Sequence, residues 1–261
     1  LPEGDTVWLT CRRLHAVLAG RALVTADLRV ARLATVDLRG VVMREVASRG
    51  KHQLLRLEDG WTLHTHMRMD GTWWIRPVGV RRGGGPAHQI RVLLETADNQ
   101  AIGYRLPVVE LLRTDAESER LGHLGPDLLG ADWNADEALA RLQSDPNRAI
   151  GEALLDQRNL AGLGTLYRAE VLYLTGVHPR RPVGRVANLA RMVELAHDLL
   201  HANRNTFDQV TTGNARRGEQ HWVFQRPNRP CRRCGSAIRA ETFGPAGAER
   251  PSYWCPACQP E

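Results

Sequence analysis

The sequence predicts an α+β protein. An N-terminal antiparallel β-sandwich with a flanking helix is followed by a helical half that ends in a cysteine-bearing hairpin. Three observations predict this. Short apolar runs separated by turn clusters fill the chain from about Ala22 to Leu112 without a helical pattern between them, as expected of strands that pair antiparallel. Apolar residues then recur at helical spacing in Asp136–Leu142, Ala149–Leu155, Leu166–Leu174 and Leu189–His201. Finally, four of the five cysteines lie in the last 31 residues as two Cys-x2-Cys pairs.

Taken in order, Leu1 to Gly4 read as a polar lead-in. Asp5 is placed to cap a helix that starts near Thr6, because a carboxylate can accept from backbone N–H groups at a helix start. Val7, Cys11, Leu14 and Leu18 form the apolar stripe of that helix and Gly20 ends it. Cys11, on the stripe, reads as a buried packing thiol. Strands are expected at Val41–Val46, His52–Leu57, Trp61–His66, Thr72–Ile75 and Gln89–Thr96, with turns at Glu58-Asp59-Gly60 and Ala97-Asp98-Asn99. Arg81-Arg82-Gly83-Gly84-Gly85-Pro86 reads as a mobile exposed loop. The pattern breaks near Thr114–Gly125, which reads as a linker. The expected domains are 1–118 for the sandwich, 119–222 for the helical part and 223–261 for the terminal hairpin. No internal repeat is visible.

Composition narrows the class. The chain has 261 residues, 43% of them hydrophobic, enough for two packed domains. Lys plus Arg total 35 and Asp plus Glu 29, so 35 − 29 gives +6. That surplus favours a polyanionic partner, usually nucleic acid, through counterion release from phosphates. No apolar run approaches the ~20 residues a membrane span needs, and no charged-then-apolar signal opens the chain. A cytoplasmic protein with no membrane partner is expected.

Cys231-x2-Cys234 is followed, twenty residues later, by Cys255-x2-Cys258. Each knuckle brings two thiolates to one ion and the two together complete a tetrahedron, the pattern of one structural Zn²⁺ with no open position. The stretch between the knuckles, with Ile238, Phe243, Tyr253 and Trp254 around Gly244 and Gly247, reads as a two-stranded hairpin that depends on the metal for its folding energy. Arg232, Arg233, Arg239 and Arg250 on this finger read as a phosphate clamp.

Other segments join these in order along the chain. They are Pro2-Glu3-Gly4-Asp5-Thr6, Lys51 after Arg49-Gly50, His66-Met67-Arg68-Met69-Asp70-Gly71, and Asp156-Gln157-Arg158-Asn159-Leu160-Ala161-Gly162-Leu163-Gly164-Thr165-Leu166-Tyr167. The last is Arg250-Pro251-Ser252-Tyr253-Trp254-Cys255-Pro256-Ala257-Cys258-Gln259. Together they resemble the formamidopyrimidine-DNA glycosylase / endonuclease VIII family over nearly the whole chain. The resemblance implies a base excision repair enzyme, a bifunctional DNA glycosylase and abasic-site lyase, with the 156–167 segment as a helix–two-turn–helix. It implies that Pro2 attacks C1′ of the damaged nucleoside as a secondary amine and forms an iminium, since an N-terminal amine titrates near neutrality. Glu3 matches the general acid/base. Lys51 and Arg250 match residues that grip phosphates beside the lesion and belong to the catalytic set. His66 is placed on the DNA-binding side, and Met69 matches a wedge that enters the gap left by the everted base. Asn159, Gly162, Gly164 and Thr165 would meet phosphate at the hairpin, where glycines let amides approach closely beside a helix start. The implied partner is damaged double- or single-stranded DNA, bound by a monomer in the bacterial cytoplasm at the nucleoid.

The chain departs from the family pattern in four places. A protein that retained Leu1 would hold Pro2 as an internal amide, unable to form the iminium, and is expected to lack strand cleavage. Thr165 stands where the family often has Asn, and Thr6 where it commonly has Glu. Gly103-Tyr104-Arg105-Leu106-Pro107-Val108-Val109-Glu110 lacks the Arg-rich, Phe-containing loop of the formamidopyrimidine branch. This favours the endonuclease VIII branch, and hence oxidised pyrimidines and β,δ-elimination. Two readings of other classes use fewer of the motifs: a non-catalytic DNA- or damage-binding protein, if Pro2 is blocked, and a zinc-ribbon RNA or ribosome factor, which leaves the N-terminal motif without a purpose.

Overall fold

A computed structural model describes residues 2–80, 84–244 and 249–261. The polypeptide forms two compact units, one of Leu1–Pro2 with Thr6–His123 and one of Glu3–Asp5 with Leu124–Glu261. Arg81, Arg82 and Gly83 of the expected loop, Gly247 of the finger, and Leu1 lie outside the described residues; Gly84, Gly85 and Pro86 are exposed.

Helix α1 spans Gly4–Leu18, and the first unit holds it from Thr6 on. It starts earlier than the expected Thr6, so Asp5 is a first-turn residue and not the cap; its side chain is drawn to partners described below. Strands β1 (Arg21–Ala22), β2 (Thr25–Leu28), β3 (Val42–Arg49), β4 (His52–Leu57), β5 (Trp61–His66), β6 (Thr72–Pro77), β7 (Ile90–Glu95), β8 (Asn99–Tyr104) and β9 (Val108–Arg113) follow. They build two antiparallel sheets, ordered β1-β3-β4-β5-β9 and β2-β7-β8-β6. One apolar cluster joins Val7, Cys11, Leu14 and Leu18 of α1 to Leu55, Leu57 and Leu63 of one sheet and Val92, Leu94 and Ala101 of the other. Cys11 is 2% exposed, and burial drives its thiol pKa far up, so it packs as an inert apolar group.

The other face of the five-stranded sheet is polar. Arg56 on β4 donates to both oxygens of Glu117, at 2.7–3.1 Å, and to Glu45 at 2.7 Å; Thr62 donates to Glu117 at 2.6 Å. Glu117 begins α2, Glu117–Leu121. The expected linker at Thr114–Gly125 therefore contains a helical turn tied to the sheet. Thr62, His64 and His66 at every second position of β5, with His52 and Arg56 of β4, make this face polar; a helix with a matching charge meets it at Glu117.

The second unit holds α3 (Ala135–Gln143), α4 (Ile150–Ala153), α5 (Thr165–Leu174) and α6 (Leu189–Asn203), then the hairpin β10 (Arg239–Phe243) and β11 (Arg250–Trp254). Asn134 and Asn188 cap α3 and α6 through their side chains. α4 is one turn, shorter than its apolar pattern suggests, because the chain turns at Asp156 to enter the glycine-rich segment. α5 is buried on nearly all sides, so its sequence lacks the polar stripe of a surface helix. Glu170 on α5 is fully buried; it accepts from the N–H groups of Trp222, Val223 and Phe224 at 2.8–2.9 Å and from the Thr211 hydroxyl. This carboxylate anchors the strap that leads into the finger. Among the described residues no helix is long and apolar enough to cross a membrane.

Candidate functional site

In the second unit, the glycine-rich turn is built around side-chain staples. Gln157 donates to Leu155 O and Leu163 O, both at 2.9 Å, and its own oxygen accepts from Gly162 N at 3.0 Å. Asp156 accepts from Arg158 N, from the Arg158 guanidinium and from Arg148; those partners, Arg158 first, hold its pKa far below the usual carboxylate range. Gly162 has φ +106°, a conformation reserved for glycine, and its carbonyl accepts from Gly4 N at 2.9 Å. The N-terminal residues are thus zipped to the turn.

Glu3 sits at the start of α5. Its carboxylate accepts from Gly164 N at 2.7 Å, Leu166 N at 2.7 Å and Tyr167 N at 3.4 Å, and it is 2% exposed. These are N–H donors at the positive end of a helix, a setting that suits an acceptor-only carboxylate. Gly164 is essential for this approach: a Cβ there would lie 2.5 Å from Glu3 Cδ. The amides of Gly162 and Gly164, expected to reach phosphate, are thus committed inside the protein, to Gln157 and Glu3. The turn's amides organise the acid/base candidate instead. Asn159 donates to Ala153 O at 2.9 Å and is half-buried, as is Thr165, the first residue of α5.

Asp5, fully buried, accepts from the Tyr167 hydroxyl at 2.6 Å and from Gln209 at 3.0 and 3.1 Å. Tyr167 thereby serves two carboxylates, Glu3 through its backbone and Asp5 through its side chain. Neither Gln157 nor Tyr167 was assigned a role from sequence. Both lie inside the quoted 156–167 segment, but nothing local reveals which amides they serve.

In the first unit, Arg49 and His52 pair across a two-residue hairpin whose first turn residue, Gly50, has φ +56°. This is the glycine position of a type II′ turn, and it puts Lys51 at the tip joining β3 to β4. Lys51 is the only lysine in the chain. His66 ends β5 and is held neutral: its pKa is lowered to about 4 by burial first, then by the Lys51 ammonium, His64 and Arg68. Its Nδ1 accepts from Arg68 N at 2.9 Å. The turn that follows is closed by Gly71 N donating to Met67 O at 2.8 Å, a fit that a Cβ on Gly71 would block at 2.6 Å. Arg68 has φ +46°, and Met69 at the apex is 69% exposed. An apolar side chain held out by a tight turn suits insertion between bases better than a core role.

The four C-terminal cysteine sulfurs lie within 4.8 Å of one another. Individual separations are 3.9 Å for Cys231–Cys258, 3.4 Å for Cys234–Cys255 and 3.6 Å for Cys234–Cys258. Tetrahedral Zn–S bonds of about 2.3 Å put sulfurs about 3.8 Å apart, so the donor set fits a zinc ion. The Tyr173 hydroxyl lies 3.2 Å from Cys231 Sγ, and Arg233 stacks over Tyr173 and Trp222. The expected Arg clamp divides. Arg232 is tied to Glu219 and to the carbonyls of Gly218 and His221, Arg233 is exposed with its guanidinium over the two rings, and Arg239 and Arg250 are exposed on the strands.

Residues 1–107 match the model of the formamidopyrimidine-DNA glycosylase N-terminal domain, and residues 124–204 that of the formamidopyrimidine-DNA glycosylase H2TH domain. A probable endonuclease 8 2 from Streptomyces coelicolor is 54% identical, covering 99% of this chain and 94% of its own. The DNA-(apurinic or apyrimidinic site) lyase Nei2 of Mycolicibacterium smegmatis is 44% identical over 99% of both chains. The fold is similar to that of Lactococcus lactis formamidopyrimidine-DNA glycosylase bound to abasic-site DNA, with a TM-score of 0.80 at 23% identity, over 99% of this chain and 100% of that one.

Proposed function

We propose that this chain, which belongs to the formamidopyrimidine-DNA glycosylase / endonuclease VIII family, is a bifunctional DNA glycosylase and abasic-site lyase of base excision repair. The observation that carries the reading is the placement of Glu3: a buried carboxylate held by the amides of Gly164, Leu166 and Tyr167 at the start of α5, immediately after the residue whose amine would react.

In this reading the Pro2 nitrogen attacks C1′ of an everted nucleoside. The C1′–N bond breaks and the base leaves, taking a proton. The sugar ring opens as O4′ gains a proton, and the nitrogen lone pair forms the iminium. The iminium then acidifies the C2′ proton, whose loss expels the 3′ phosphate; loss of the 5′ phosphate completes β,δ-elimination. Glu3 moves protons at the ring oxygen and at C2′. Lys51 and Arg250 bind the phosphates flanking the lesion, Asn159 and Thr165 contribute to that grip, and His66 lines the same side. Met69 fills the gap in the stack. Zinc, held by Cys231, Cys234, Cys255 and Cys258, supplies folding energy to the hairpin that presents Arg250. The endonuclease VIII-type relatives and the absence of an Arg-rich, Phe-containing pattern in 103–110 favour oxidised pyrimidines. The partner is damaged DNA, duplex or single-stranded, met by a monomer in the bacterial cytoplasm.

The test is direct. Protein initiated at Pro2 is incubated with oligonucleotides carrying thymine glycol, dihydrouracil, 8-oxoguanine or an abasic site, with borohydride present to trap the iminium. Pyrimidine lesions should be released fastest and a covalent complex should form. Lys51 is the one side-chain amine in the sequence, so Lys51→Arg that still traps assigns the adduct to Pro2. Absence of both base release and nicking overturns the reading and leaves a DNA-binding protein.

A further inference from the structure

Arg168 is a charged residue in the middle of an apolar helix. It is 0% exposed, one turn into α5 from the amides that hold Glu3. Its Nη2 donates to Pro251 O at 2.6 Å and its Nη1 to Gly151 O at 3.4 Å. The guanidinium carbon lies 5.6 Å from the centroid of the Phe243 ring. Nε finds no hydrogen-bond partner among the described residues. Burying a guanidinium is costly unless something is gained by it.

The partners indicate the gain. Pro251 follows Arg250 on β11, and Phe243 is the residue paired with Arg250 across the hairpin. Gly151 belongs to α4, and a Cβ there would come within 3.0 Å of Phe243, so this glycine admits the ring. One guanidinium fork therefore ties α5, α4 and both strands of the finger beside Arg250. A planar fork with donors in fixed directions can hold two carbonyls from different segments; an ammonium is a single point. Its charge is also felt by the site. Burial lowers its pKa to about 10, and the Glu3 carboxylate is the foremost group acting against that fall, with Glu152 and Tyr253 on the same side and Arg250 opposing.

We propose that Arg168 is a positioning residue for base release, which sets the strand bearing Arg250 against the helix turn that fixes Glu3. The inference rests on the glycosylase reading and deepens it. The proton-handling carboxylate and the phosphate-gripping arginine then share one buried anchor.

Two variants separate the parts. Arg168→Lys keeps the charge and loses the fork. Its pH–rate profile should stay where it is, while binding to abasic-analogue DNA weakens about tenfold and the slope of log K against log salt falls by about 0.9, one phosphate contact. Arg168→Met also removes the charge beside Glu3. The acidic limb of its single-turnover base-release profile should move to higher pH, because a carboxylate without its cation holds its proton longer. Zinc content and melting temperature are measured alongside; if Arg168→Met does not fold, Arg168→Lys decides through the salt slope. Wild-type salt slope and affinity in a zinc-loaded Arg168→Lys overturns the proposal, as does an unmoved acidic limb in a folded Arg168→Met. Should the parent enzyme release no base and cut no abasic strand, the glycosylase reading has failed, while the salt slope still reports on Arg168.

Discussion

The Tyr167 hydroxyl donates to Asp5 Oδ2 across 2.6 Å, and neither residue reaches solvent. Burial, and then Asp5, push the phenol pKa far up, so the tyrosine remains a donor at every working pH. Tyr167→Phe removes the hydroxyl donor from this buried carboxylate and keeps the Gln209 amide beside it. Hydrogen bonds to charged groups are worth about 1.5–3 kcal/mol. The variant should be destabilised by about 2 kcal/mol in equilibrium unfolding, and a midpoint within error of the parent would mean that Asp5 does not depend on the Tyr167 hydroxyl.

Gly164 offers a sharper functional probe. Its φ is −127°, which alanine adopts without strain. The obstacle to a methyl group is Glu3, with Cδ at 2.5 Å and Oε1 at 2.7 Å from the added atom. Gly164→Ala should therefore fold and bind zinc, yet release bases about 10²-fold more slowly, the loss expected when an acid/base group is displaced. Single-turnover kinetics with a dihydrouracil oligonucleotide measures this. Undiminished rates would show that Glu3 acts from another position. Glu3→Gln makes the companion case: its amide nitrogen would confront N–H donors, and base release should vanish while DNA binding persists.

These two residues also show where the sequence was legible. Strands β4 and β5 were expected with the bounds they have, because Glu58-Asp59-Gly60 punctuates them locally and apolar residues mark their buried face. The cysteine spacing likewise carries its geometry with it. The link from Glu3 to Gly164 spans 161 positions, and no local pattern encodes it. A carboxylate before an apolar stripe is the usual capping signal, which is why the sequence points to Asp5 as a cap; in the structure it lies in the first turn, bonded to Tyr167 and Gln209. Arg168 and Glu170 interrupt an apolar run in α5, and such buried charges are the trace that long-range partners leave in a sequence.

Acid should loosen the first unit before it reaches the carboxylates. Burial, then His66, His64, His123 and Arg120, lower the pKa of His52 to about 3, and that of His66 falls to about 4. His52 Nδ1 lies 2.9 Å from His64 Nε2, and His64 Nδ1 lies 3.2 Å from Glu110, which is held in turn by Arg120. A histidine whose pKa is depressed by folding binds fewer protons folded than unfolded. Its stabilising contribution is complete above the ordinary value of 6.5 and shrinks as pH falls towards about 4. The unfolding midpoint should hold between pH 7 and 8 and drop progressively from 6.5 to 4. His52→Gln should flatten that drop; an equally steep decline in the variant would place the acid-sensitive groups elsewhere.

Metal removal tests the finger as a folding unit. Between Cys234 and Cys255 the segment buries Ile238, Phe243 and Trp254, too little apolar surface to order a two-stranded hairpin in water. Zinc-finger peptides draw about 10–16 kcal/mol from their ion, far more than this hairpin can gain otherwise. Chelation, or Cys231→Ser, should release one zinc per chain and change the fluorescence of Trp254. The core around α5 and α6 should persist, since its buried cluster is mostly aliphatic side chains of the helices themselves. DNA affinity should fall with the loss of an ordered Arg250, and its salt dependence should become shallower. A metal-free protein with native affinity and salt slope would show that Arg250 needs no zinc-ordered strand to reach its phosphate.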